Sequence, residues 1–295
     1  VELSATINGG FLNANGVNGV FNALSNTTLT AVTVNGRLNV PHNNSARLSN
    51  NLVNNGSITI NPNAANATTF IAINDSLTVS GTGQIVLKSN PLNNDTAFIL
   101  FNGGAEVLTN SATHTIRGAG NIYVNTINNG LIVADIPGQT LSLVSQPKLN
   151  NNILSALTGC TLNISAATTQ NNANGIILAD GGLVTLQGIE LTGGRLNAVG
   201  TGLFRTFTTT LNSITNNSRI FVQPSSSTRI SNSLINNGSI TVNETGANAG
   251  CFMAINNSLT VSGSGRIILN ANPANLDTGY IIFNGGSEVL TLGPS

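Results

Sequence analysis

Short segments in which apolar and polar residues alternate recur along the chain, each entered through a turn rich in Asn and Gly. Residues 35–40 read NGRLNV, 55–60 NGSITI, 81–87 GTGQIVL, 118–124 GAGNIYV, 128–134 NNGLIVA, 181–188 GGLVTLQG and 193–198 GGRLNA. In NGSITI, Ile58 and Ile60 point to one face and Ser57 and Thr59 to the other, the period of two expected of a half-buried strand. Asn and Gly suit the turns because both tolerate positive φ and Asn can hydrogen-bond adjacent backbone. No segment has an apolar period of three to four residues, so the pattern predicts an all-β chain with almost no helix.

Asn-Gly between strands can also mark a hairpin. Matched strand pairs around two-residue turns are not what the chain offers, however. Polar stretches such as NPNAANATT and LKSNPLNNDT separate single strands by varying lengths. That suits a parallel β-helix, an elongated rod in which coils of about 20 residues stack at the ~4.8 Å strand spacing. Inward Val, Ile, Leu, Ala and Phe would form its core, and outward Asn, Ser and Thr would form hydrogen-bonded ladders along the axis.

The pattern is itself repeated. Residues 54–87, NNGSITINPNAANATTFIAINDSLTVSGTGQIVL, return at 236–269 as NNGSITVNETGANAGCFMAINNSLTVSGSGRIIL. The 182-residue offset extends to 101–109 (FNGGAEVLT) and 283–291 (FNGGSEVLT), and with small insertions 1–21 aligns with 184–204. This divides the chain into a first copy, 1–183, and a truncated second copy, 184–295, expected to continue as one solenoid.

Composition narrows the partners. Charged residues make up 7% of the chain against about 25% in an average globular protein, and roughly one residue in six is Asn. Stacked coils put equivalent positions about 5 Å apart, where like charges repel and neutral amides pair. Net charge is zero and the ten Lys and Arg are scattered, so neither nucleic acid nor an anionic membrane surface is an expected partner. No apolar run is long enough to span a membrane. Cys160 and Cys251, about 20 Å apart in such a coil, are expected to be unpaired and buried.

Blocks such as LTGGRLNAVGTGLF, LINNGSITV, NNSLTVSGSGRIIL, HTIRGAGNIYVNTINNGLIVAD and GIILADGGLVTLQG resemble the long repeats of secreted bacterial β-helix proteins of the autotransporter-passenger and filamentous-haemagglutinin type. The resemblance covers nearly the whole chain. It implies a right-handed parallel β-helix, an extracellular or cell-surface location, and a non-enzymatic role in adhesion, aggregation or matrix building. The implied partners are other copies of the chain, end to end or laterally, or a surface polysaccharide or host surface.

Parallel β-helices also carry polysaccharide lyases and glycosidases, so the enzyme reading is tested on residues. Asp75, Asp95, His114 and Asp135 are spaced 20, 19 and 21 residues apart. With uniform coils of about 20 residues they would stack as a catalytic column within reach of acid and base work. Against this, glycine landmarks indicate uneven coils, Asn257 replaces Asp75 in the second copy, and all four residues adjoin loop-like sequence. Solvated loop residues are the favoured reading, with no catalytic residue assigned. Two distant histidines and two distant cysteines supply no metal set, and no cofactor is expected. Phe70 with Phe252, and Phe101 with Phe283, recur in apolar surroundings and are expected in the core.

Overall fold

The structure, a computed structural model, describes residues 1–14, 16, 19–166 and 170–293. Part of the 1–21 segment aligned with 184–204, and the end of the second copy at Ser295, lie outside the described residues. The chain divides into two compact units, Val1–Leu154 and Ser155–Ser295. That division does not coincide with the sequence repeat, whose copies meet at 183/184.

Each unit is a parallel β-solenoid, and among the described residues there is no helix. In the first unit the strands form three faces. Face one includes Arg37–Val40, Ser57–Ile60 and Gln84–Lys88; face two, Ser45–Ser49, Thr69–Ile73 and Ala97–Phe101; face three, Leu52–Asn54, Leu77–Ser80 and Val107–Asn110. Each strand pairs in parallel with its equivalent one coil away, as in Leu38 beside Ile58 beside Ile85. The second unit repeats the plan, with Arg219–Val222, Ser239–Val242 and Arg266–Leu269 on face one. There the strand Thr209–Asn217 serves faces two and three in succession, bending at Ser213, whose φ is 56°.

Period-two alternation places one column of aliphatic side chains inside each face. Leu38, Ile58, Ile85, Ile116 and Ile132 are in register on face one, and all are buried. Each such side chain contributes about 1.5–3 kcal/mol relative to exposure. The core is therefore a stack of one-residue layers rather than a single interior cluster.

Coil length is far from uniform. Along that same column the steps are 20, 27, 31 and 16 residues. The strands keep their register because the excess is confined to the corners. The second copy reproduces the long coils: Ile240 to Ile267 spans 27 residues, like Ile58 to Ile85, and Leu259 to Leu290 spans 31, like Leu77 to Leu108. The added loops also stack. Asn93 donates to Asn66 at 2.9 Å, and Asn275 donates to Asn248 at 3.0 Å.

The expected core placement of Phe70 and Phe252 is corrected. Thr69, Ile71 and Ile73 take the inward parity, which turns Phe70 outward beside Phe98. Phe252 likewise faces out, stacked on Tyr280 with ring centroids 5.7 Å apart. Cross-strand aromatic pairing covers the Phe252 ring on the outer face. Phe101 is half-buried and Phe283 is exposed.

Candidate functional site

The four residues of the proposed column occupy three different corners. Asp75 lies between faces two and three, exposed, and its Oδ1 accepts the Asn50 N–H at 2.7 Å. Asp95 is exposed between faces one and two and accepts from Asn121 Nδ2 at 3.0 Å. Asp135 also follows a face-one strand, Leu131–Ala134, but forms an ion pair with Arg117 and is only 7% exposed. His114 sits between faces three and one, pointing inward. The column needs equal coils; unequal corners rotate its members away from one another. Asp95 and Asp135 share a corner but belong to coils two strand spacings apart, about 10 Å.

The corner between faces three and one holds the densest polar structure, and it is built from Asn-Asn and Asn-Gly pairs. Where two Asn are consecutive, as at 54–55 and 128–129, the strand alternation sends the first inward and the second outward. Asn54, Asn110, Asn128 and Asn150 are buried, whereas Asn55 is exposed. Inside, Asn110 Nδ2 donates to Asn128 Oδ1 at 2.8 Å, and Asn128 Nδ2 donates to Asn150 Oδ1 at 2.9 Å. Asn128 Nδ2 also reaches the Ile153 carbonyl at 3.0 Å, tying the amide to the backbone of the next coil. In the second unit Asn216 donates to Asn236 at 2.8 Å and accepts from the Ser218 N–H at 2.9 Å.

His114 completes the inner ladder where the 31-residue coil intervenes. Asn54 Nδ2 lies 3.0 Å from His114 Nε2, and Asn110 Oδ1 lies 2.7 Å from His114 Nδ1. An amide nitrogen only donates and an amide oxygen only accepts, so the ring is neutral with its proton on Nδ1. Burial pushes its pKa down to about 4. The imidazole thus spaces two amides and is sealed from any solvent-borne substrate. Lys148 is a second inward polar group that the alternation pattern conceals. It donates to the Val144 and Gln146 carbonyls at 3.1 and 2.5 Å, and burial pushes its pKa down to about 7.

Outside the same corner runs a second ladder. Asn55 donates to Asn35 and Asn35 to Asn13, both at 2.9 Å; Asn151 donates to Asn129 at 2.8 Å. The second unit has Asn237 to Asn217 to Asn197, each step 2.9 Å. Beside Asn35, Asn55, Asn129 and Asn237 the backbone is glycine. A Cβ on Gly56 would lie 1.9 Å from the Gly36 carbonyl oxygen, and one on Gly238 would lie 1.9 Å from that of Ser218. Glycine is needed here for close stacking of coils, since neither residue has positive φ.

Among the described residues no cluster of His, Cys, Asp and Glu could hold a metal ion. Cys160 and Cys251 are both buried free thiols. Cys251 Sγ accepts the Asn243 N–H at 3.1 Å, and burial raises its pKa. Among the described residues no helix is long and apolar enough to cross a membrane.

Fold and corner together define each unit as a parallel β-solenoid with amide ladders on both sides of one corner. The chain matches no family model, no curated protein and no solved structure.

Proposed function

We propose that the chain is a non-enzymatic structural or adhesive segment of a secreted, surface-displayed bacterial protein, built from tandem repeats and forming part of a fibre or matrix. The proposal includes kinship with autotransporter-passenger or filamentous-haemagglutinin repeats, an extracellular location, and association with further copies or with a surface polysaccharide. The observation that carries it is the amide ladder passing from coil to coil in each unit. Such ladders specify stacking and supply no nucleophile, and the one histidine beside them is locked between two amides. Residues suited to acid and base chemistry are meanwhile held apart, Asp135 by Arg117 and Asp95 by Asn121 two coils away, with Asp75 at another corner.

The test is turnover on a panel of acidic and neutral polysaccharides. The proposal expects no chain shortening and no unsaturated product from any of them. Cleavage that Asp95→Asn abolishes would replace it with a polysaccharide-processing enzyme.

A further inference from the structure

The outer side of the three-one corner is an open trough, and it occurs in both copies at the 182-residue offset. In the second unit it encloses about 510 Å³ and is lined by Asn217, Asn237, Arg219, Ser239, Ser264 and Arg266, among others. In the first unit it encloses about 440 Å³, with Asn55, Arg37, Ser57, Thr82 and Gln84 among its lining residues. Its floor is bare backbone, because Gly238 and Gly265, like Gly56 and Gly83, have no room for a Cβ. One wall is the outer Asn ladder; the other is the first outward position of each face-one strand.

That second wall carries the charge. Arg219, Ser239 and Arg266 are in register on successive strands, so the two arginines stand about 10 Å apart along the ladder. Both are exposed. Arg219 Nη2 rests on the Gly200 and Gly202 carbonyls at 3.3 and 3.1 Å, which holds the guanidinium at the rim with further N–H donors unused. The Arg266 guanidinium has no partner among the described residues. None of the residues lining either trough is acidic. Coil stacking explains the glycines and the amides, but it has no need of two cations on one edge.

We infer that the trough of the second unit binds an extended acidic polysaccharide, with Arg219 and Arg266 clamping carboxylate or sulfate groups and the Asn and Ser side chains pairing with sugar hydroxyls. A guanidinium grips such anions through paired N–H bonds. An extended pyranose chain advances by roughly one strand spacing per ring, so acidic groups on alternate rings meet the two arginines in step. Nucleic acid fits less well: no aromatic side chain lines the trough for base stacking, and two cations neutralise few phosphates. The first-unit trough, with Gln84 in the place of Arg266, is the weaker and less salt-sensitive version. The inference rests on the adhesive reading, to which it adds a ligand class and a place.

The test measures binding of the whole 295-residue chain to polygalacturonate, heparin, neutral dextran and single-stranded DNA at low and at physiological salt. Either acidic glycan should bind at least about tenfold more tightly than dextran or DNA. Arg219→Ala with Arg266→Ala should weaken acidic-glycan binding roughly tenfold or more and flatten its salt dependence, while Arg37→Ala should cost less. Arg219→Lys with Arg266→Lys preserves charge and loses the paired geometry, so intermediate binding is expected; this pair carries the test should the alanine variant fail to fold. Unchanged binding by the arginine variants, equal binding of dextran or DNA, or no acidic-glycan binding at low salt would each overturn the inference. Consumption of a polysaccharide would instead defeat the non-enzymatic reading, whether or not the trough binds.

Discussion

Asn54 and Asn55 are chain neighbours with the same side chain, yet one is sealed inside the three-one corner and the other faces water. Both take part in amide ladders, and the individual bond lengths are nearly the same. What differs is the alternative open to each group. A solvent-facing amide that loses its partner bonds to water, whereas a buried one is left with an unmet donor or acceptor, at about 1–3 kcal/mol. The inner ladder therefore specifies how coils stack, and the outer one is a surface that happens to be ordered.

Three sets of variants would break or sharpen that contrast. The largest effect is expected where both ladders depend on the same coil spacing. Gly56→Ala forces a Cβ against the Gly36 carbonyl and should cost about 4 kcal/mol or more, or prevent folding, by denaturant unfolding. A loss below about 1 kcal/mol would mean that coil spacing is not what the glycine protects.

The next effect is a pH dependence confined to the inner side. Burial holds the pKa of His114 at about 4 in the folded chain, below the ordinary histidine value of 6.5, so between those pH values the unfolded state binds more protons. Its contribution to stability is present above pH 6.5 and is lost as pH falls toward 4, amounting to about 3 kcal/mol. His114→Gln cannot titrate, so wild type should lose about that much more stability than the variant between pH 7 and 4. Parallel losses would show that the buried ring is not the acid-sensitive link.

The smallest effects test the two ladders directly. Asn128→Ala removes an inner amide bonded to Asn110, Asn150 and the Ile153 carbonyl, and should cost about 2–3 kcal/mol. Asn55→Ala on the outside should cost less than about 0.5 kcal/mol. Equal losses would erase the distinction between the two sides.

Most of the fold was legible in the sequence because period-two alternation survives in nearly every strand. Ile58, Ile60, Ile85 and Leu87 are buried as the pattern requires. The inner ladder was not legible, since Asn reads as a turn residue or a surface residue and only its parity relative to Ile58 reveals which. The doubled Asn at 54–55, 128–129, 150–151, 216–217 and 236–237 was the available signal: two consecutive strand-end amides must face opposite ways. His114 was singled out for its spacing to Asp95 and Asp135, but a spacing argument assumes equal coils, and coils whose lengths range from 16 to 31 residues, with the difference taken up at the corners, remove its basis. The outward turn of Phe70 was obscured by hydrophobicity, which ranks a ring as core even when its neighbours Ile71 and Ile73 have already claimed the inward side.

Coil length that varies only at corners also makes the scaffold permissive to insertion. The loops at 61–68 and 89–96 lengthen their coils without shifting any strand from its partner, and Asn61 folds the first of them back on itself through paired bonds with Ala65 at 2.8 and 3.0 Å. A foreign peptide grafted between faces one and two would inherit that arrangement: two fixed ends, neighbouring loops to lean on, and no obligation to match the core. Those corners are natural ports for displaying added sequence, and a lineage of such chains could diversify there while every strand stayed where it was.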